Sequence, residues 1–320
     1  MTVLVTVGAC YIDTIITVDH YPSEDEKLRA ASVSRRLGGN TANSLVVLQQ
    51  LLECRPSMGV QQIHMPLYAV AVLPAKSSAA VKVVEASLAP KVDLQHCIYR
   101  EAFSEPGSSY IIRSQSSGTR TIVNDNQLPE MTINEFTRIA DSLPAGPKWF
   151  HFEGRIPDVT LQCIRHIRQN FPADKISVEI EKPGRAGLQE LAVEADVVFY
   201  SKSWAQGHGY QSPDDLLQAQ SLVTSKSSIL CCTWGEKGAV CLDKRCMEYI
   251  HSPAYMDAKV PIVDTVGAGD TFIAGMLYGL ICHESDYSLQ RTMAFSNRLA
   301  GRKITQEGFE GLGKYMAEHL

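Results

Sequence analysis

The feature that most narrows the folds open to this chain is a regular alternation of short apolar runs with longer amphipathic ones. Runs rich in Val, Ile, Leu and aromatic residues occur at 2–8, 67–72, 149–152, 176–180, 197–200 and 229–233. Their nearly continuous hydrophobicity suits strands covered on both faces. Between them, 41–52, 77–88, 133–142, 159–170 and 213–223 carry apolar residues at helical spacing. Strands alternating with helices predict an α/β fold, a three-layer sandwich around a mostly parallel central sheet. Hydrophobic residues at 45% and charged residues at 20% are enough to bury such a core.

Two segments depart from this rhythm. Residues 108–113 and 119–124 alternate polar and apolar around Gln115-Ser-Ser-Gly118, which predicts a hairpin. The stretch 13–36 is β-branched and charged, with a break at Tyr21-Pro22, and is expected to join the hairpin in a small sheet outside the core. Residues 53–63 lack periodicity and are expected to form a surface loop.

Charge excludes some functions. Thirty basic against thirty-five acidic residues give a net charge of −5, and no Lys/Arg stripe follows the spacing of a phosphate backbone, so nucleic acid is not an expected partner. The apolar opening has no charged n-region and reaches Asp13 early, so it is expected to be a buried strand in a cytoplasmic protein. No apolar run is long enough for a bilayer. Nine irregularly spaced cysteines without a Cys-x-x-Cys signal neither a disulfide framework nor a zinc site.

The sharpest chemical feature is Asp264-Thr-Val-Gly-Ala-Gly-Asp-Thr-Phe272, which opens a helix continuing through Met276 and Leu280. Free N–H groups at a helix start form an anion site, and Gly267, Ala268 and Gly269 let a phosphate approach closely. Asp270 then stands where that anion would react. A carboxylate there is best explained as a base that takes a proton from an attacking hydroxyl. The motif is neither a dinucleotide fingerprint nor a Gly-x-x-x-x-Gly-Lys-Ser/Thr loop.

A second cluster, Gly38-Gly-Asn-Thr-Ala-Asn43, places Asn40 and Asn43 on one face at a helix start. Carboxamides donate and accept, which suits a polyol, and the carboxylates Asp13 and Asp25 are candidates to accept further hydroxyl protons.

In combination and in this order, the two clusters resemble the paired signatures of the ribokinase-like (PfkB) carbohydrate kinases. Phe150-His-Phe-Glu-Gly-Arg155, Val178-Glu-Ile-Glu-Lys-Pro183, Ser201-Lys202 and Thr233-Trp-Gly-Glu-Lys-Gly238 extend the resemblance over most of the chain. Within the family they are similar to members that phosphorylate a ketohexose such as fructose at the 1-hydroxyl. The resemblance implies a single kinase domain over 1–320, with a β-sheet lid from about 10–36 and 104–126 through which family members commonly dimerise. It implies a sugar site of Asp13, Asp25, Gly39, Asn40 and Asn43, with Asp270 as general base and Gly267–Gly269 as anion hole. For ATP it implies Arg120, Lys182, Thr233, Trp234, Gly235, Glu236 and Gly238, with Arg155 as a further phosphate contact. Mg²⁺ would arrive with ATP, and K⁺ in this family is often held near the anion hole, here around Asp264 and Thr265. The stretch 67–81 lacks the glycines usual in such kinases, so the wall of the sugar pocket is expected to differ. A kinase for another sugar or a nucleoside, or a catalytically silent carbohydrate sensor, are the alternatives.

Overall fold

The computed structural model describes residues 1–54, 64–256, 260–283 and 288–319. Most of the expected loop at 53–63 therefore lies outside the described residues. A nine-stranded sheet forms the centre, ordered edge to edge as Glu248–Ser252, Ala239–Asp243, Ile229–Thr233, Val197–Tyr200, Lys175–Ile180, Lys148–Glu153, Val3–Val7, Leu67–Val70 and Val92–Asp93. From Ile229–Thr233 to Val92–Asp93 every neighbouring pair is parallel, and the two strands at the other edge are antiparallel. The expected strand at 67–72 ends at Val70, and Val72–Pro74 instead pairs with Ile98–Arg100 in a separate two-stranded sheet.

Local sequence explains the helix starts. Thr132 and Glu135 form a reciprocal capping box ahead of Ile133–Ser142. Ser212 caps Pro213–Val223, where proline at the first position is preset for the helix. The helices Asn40–Glu53 and Ala268–Cys282 are different: each is preceded by a glycine at positive φ, Gly39 at 91° and Gly267 at 81°.

Apolar clusters cover both faces of the central sheet. In one of them, Phe150 stands 6.3 Å, centroid to centroid, from both Phe136 and Phe152, and it is fully buried. Phe150→Ala is expected to lower unfolding stability by about 3–5 kcal/mol, measured by urea denaturation, because both transfer energy and packing are lost.

A four-stranded sheet stands apart from this core, in the order Ser32–Gly38, Tyr11–Val18, Ser108–Ser114, Arg120–Asp125. The expected hairpin is present, and Tyr11–Val18 pairs antiparallel with Ser32–Gly38 and parallel with Ser108–Ser114.

The connections fix where a ligand can sit. From Val3–Val7 the chain adds strands first on one side, at Leu67–Val70, and later on the other, at Lys148–Glu153. Such a reversal opens a crevice at the carboxyl ends of the parallel strands. Here it is spanned by Ala9 N–H, which donates to Glu153 Oε2 at 2.8 Å.

Candidate active site

The two glycine-capped helices pack side by side with their first turns in contact. Ser44 Oγ donates to the Asp270 carbonyl at 3.1 Å, and Asn43 Nδ2 donates to Asp270 Oδ2 at 2.6 Å. A Cβ at Gly39 would collide with the Ala9 carbonyl, so glycine is needed both for the positive φ and for this close approach. Their meeting point lines a cleft of about 460 Å³ at the end of the sheet. Asp13, Gly39, Asn40, Asn43, Arg120, Arg155, Lys182, Thr233, Thr265, Gly267, Ala268, Gly269 and Asp270 all border it.

Asp270 occupies the third position of its helix, in the first turn, where N–H groups lack intrahelical acceptors, although the Ala268 N–H donates to the Thr265 carbonyl at 3.3 Å. A Cβ added at Gly269 would meet nothing within 4 Å, which leaves the path to those donors open. Burial is the main force raising the Asp270 pKa to about 7; the Asn43 hydrogen bond opposes it, and Glu181, Glu153 and Asp13 reinforce it. A carboxyl poised near neutrality beside an anion site suits reversible proton transfer.

Further carboxylates crowd the cleft. Asn40 Nδ2 donates to Glu179 Oε1 at 3.0 Å and to Glu181 Oε2 at 3.2 Å, so this amide links two acids. Burial, with Asp270 next, raises the Glu179 pKa well above the ordinary carboxyl range. Asp13 is also raised by burial, against the hydrogen bond from Ser109 and the charge of Arg36. This accumulation of buried acid fits a ligand that brings its own positive charge. Among the described residues, however, no group of three or more His, Cys, Asp or Glu side chains could hold a metal ion alone.

The basic residues expected near phosphate, Arg120, Lys182 and Arg155, all border the cleft. Arg155 pairs with Glu130, Nη2 to Oε1 at 2.8 Å, and lies 5.0 Å over the Tyr11 ring. Arg120, on the exposed edge strand of the smaller sheet, reaches across to donate to Thr265 Oγ1.

Several expected residues do not border the cleft. Asp25 is exposed, at φ 61°, on the loop between two strands of the smaller sheet. Trp234 is 4% exposed and packs in an apolar cluster, with Lys202 Nζ 5.9 Å from its ring centroid. Gly235 and Glu236 form a single 3₁₀ turn, with Glu236 ion-paired to Lys202 at 3.4 Å. Gly238 serves close strand packing, because a Cβ there would strike the Ser252 carbonyl. None of residues 67–81 lines the cleft, so their lack of glycine does not alter its wall.

Asp264 also differs from expectation. Its Oδ2 accepts from Arg36 Nη1 and from Lys303 Nζ, both at 2.8 Å, and its carbonyl accepts from Lys303 Nζ at 2.9 Å. Its Oδ1 accepts from Val266 N–H at 2.9 Å, and Thr265 Oγ1 is engaged by Arg120. The Asp264 oxygens and Thr265 Oγ1 thus already have donors within the protein.

Sequence reasoning passed over Glu179 and Glu181 as site residues, and missed Arg36, Arg185 and Lys303. A signal existed for two of them. Glu179 interrupts an otherwise buried strand, and Lys303 continues the buried stripe Leu289, Met293, Ser296, Leu299 of its helix. Arg36 and Arg185 sit among ordinary surface charges and are recruited only by the tertiary fold.

Known proteins share this fold. The model of the pfkB family carbohydrate kinases matches residues 1–311. Ketohexokinase of Mus musculus is 31% identical over 317 residues, covering 97% of this chain and 98% of the relative. Ribokinase of Arabidopsis thaliana, solved with ribose and ATP, superposes with a TM-score of 0.74 at 18% identity, over 99% of this chain and 98% of that one. The nucleoside kinase of Methanocaldococcus jannaschii does so with a TM-score of 0.70 at 18% identity, over 100% and 99%. With a family match over residues 1–311 and a relative 31% identical over 97% of its length, the chain belongs to the pfkB family of carbohydrate kinases.

Proposed function

We propose that this carbohydrate kinase transfers the γ-phosphoryl group of ATP to the 1-hydroxyl of a ketohexose such as fructose, with Asp270 as general base. The observation that carries this reading is Asp270 itself: buried, raised to about 7, held by Asn43 at 2.6 Å, and set in the first turn of its own helix. The sugar hydroxyl gives its proton to Asp270 as its oxygen forms the new bond to phosphorus, and the bond to the ADP oxygen breaks. Charge on the transferred group faces the N–H groups of the Gly267–Gly269 turn, a preorganised donor set of the kind that stabilises transition states. Arg120 approaches from the smaller sheet as a bidentate phosphate partner. Mg²⁺ enters with the nucleotide, since it retains water and needs few protein ligands. It would neutralise phosphate charge opposite the cleft's buried acids.

The ketohexose follows from the 31% identity to ketohexokinase. Another sugar or a nucleoside is the alternative, and a panel of sugars and nucleosides assayed for ADP release with MgATP separates them. The buried Asp270 at the glycine-capped helix start speaks against the silent-sensor alternative. We propose that the smaller sheet acts as a lid. Its exposed Val33, Tyr110 and Val123, which the register puts on the face opposite Ile111 and Ile122 of the cleft, offer an apolar surface through which two copies would pair. A cytosolic setting is in keeping with ATP as donor and with nine free cysteines. No helix among the described residues is long and apolar enough to cross a membrane.

Asn40→Ala is expected to raise the sugar KM about 3- to 10-fold with a smaller change in kcat, the worth of one or two ground-state hydrogen bonds. Initial rates over a sugar titration check this. An unchanged KM would place the sugar elsewhere.

A further inference from the structure

Lys303 is fully buried near the end of the helix Leu289–Lys303, yet its side chain is charged. Burial pushes its pKa down to about 8, while Asp264 pulls it up. Burial also opposes ionisation of Asp264, but Lys303 and Arg36 overcome it and hold that carboxyl down at about 2. Both groups are therefore ionised at neutral pH, deep in the protein. Burying an ammonium costs several kcal/mol before its partner offsets it, and an apolar side chain would usually serve stability as well.

Docking of the neighbouring backbone does not require the charge. Val263 N–H and Asp264 N–H already donate to the Ile304 carbonyl at 2.7 and 3.1 Å. What the ammonium adds is orientation, because it grips Asp264 at two points, the carbonyl and Oδ2. The other carboxylate oxygen, Oδ1, then receives Val266 N–H, the residue immediately before Gly267. Gly267 in turn backs onto Phe309, whose ring lies 5.2 Å from Lys303 Nζ. Arg36 reaches the same Asp264 from the smaller sheet, so a second cation joins that sheet to the same point.

We infer that Lys303 is a positioning residue for phosphoryl transfer, its ammonium gripping Asp264 and through it the turn that ends in the Gly267–Gly269 anion hole. The inference rests on the kinase reading above. Lys303 touches no substrate; it fixes where the N–H donors point. Removing it leaves the sugar site intact and misplaces the donors that act only in the transition state.

The test compares the parent with Lys303→Met and Lys303→Ala by ADP release at saturating MgATP over a titration of the sugar that the parent turns over. Lys303→Met is expected to lose about 100-fold in kcat, the scale of a lost oxyanion donor, while the sugar KM stays within about twofold. Methylammonium is expected to raise the Lys303→Ala rate saturably, which a merely structural lysine would not allow. Should Lys303→Met fail to fold, Asp264→Asn keeps an acceptor for Val266 N–H and removes the charge that holds the ammonium. It should show the same loss confined to kcat. A kcat within about threefold of the parent in whichever variant folds, or equal losses in kcat and sugar affinity without amine rescue, overturns the inference. If instead the parent is active and Asp270→Asn is too, the kinase mechanism fails irrespective of Lys303.

Discussion

Replacement of Asp270 by Asn is expected to lower kcat by about 10²–10⁴-fold, the range general-base catalysis supplies, with sugar affinity little changed. The substitution keeps the side chain's shape and leaves an amide oxygen that can still accept from Asn43 Nδ2, now at 2.6 Å from Oδ2. Only the capacity to take a proton is lost. Isothermal titration of sugar with the variant, beside its initial rates, separates binding from chemistry. The pH profile supplies a second signature, because burial raises this carboxyl to about 7. The base form exists above that pKa, so the parent's kcat/KM should fall as pH drops below about 7, approaching tenfold per unit. The Asn variant should lack that acid limb. A parent profile flat from pH 5 to 8 would assign the proton to another group.

Gly267→Ala is the second change expected to be severe. At φ 81° any side chain is strained, and the added Cβ would lie 2.5 Å from Phe309 Cζ and 3.4 Å from Asn43 Nδ2. The strain alone amounts to about 1–3 kcal/mol, and it falls on the turn that must present the anion-hole donors. We expect kcat to fall at least about 100-fold. Gly269→Ala, whose Cβ meets nothing within 4 Å and lies inside the helix, should retain the fold and so controls for stability, although its methyl would stand in the path to the donors. Thermal melting and initial rates are compared with the parent, and a Gly267→Ala kcat equal to the parent's would show that the turn can yield.

Comparison of these sites with the sequence shows what local pattern can and cannot carry. The helices at Ile133–Ser142 and Pro213–Val223 begin and end where periodicity and capping residues put them. Both are governed by neighbours in the chain. Gly39, Asn43, Gly267 and Asp270 were legible for a similar reason, because a helix start is a local structure and the two starts only had to meet. The burial of Trp234 was not legible, because a turn in sequence says nothing about how deeply a ring packs. Asp25 was offered as an acceptor of hydroxyl protons, and the loop that carries it holds it in solvent in this chain. The contacts of Lys303 and Arg36 with Asp264 span 39 and 228 residues, respectively. No periodicity reports a pairing of that range. The same holds for Asn40, whose link to Glu179 and Glu181 joins a helix start to the end of a strand far along the chain.

The most direct test of the central claim is to incubate the protein with MgATP and fructose and follow ADP and the sugar phosphate together by phosphorus NMR. The account predicts equal amounts of ADP and a phosphomonoester on the 1-carbon, with neither formed by Asp270→Asn. Sugar binding by calorimetry without turnover on fructose, or on any other sugar or nucleoside, would contradict it.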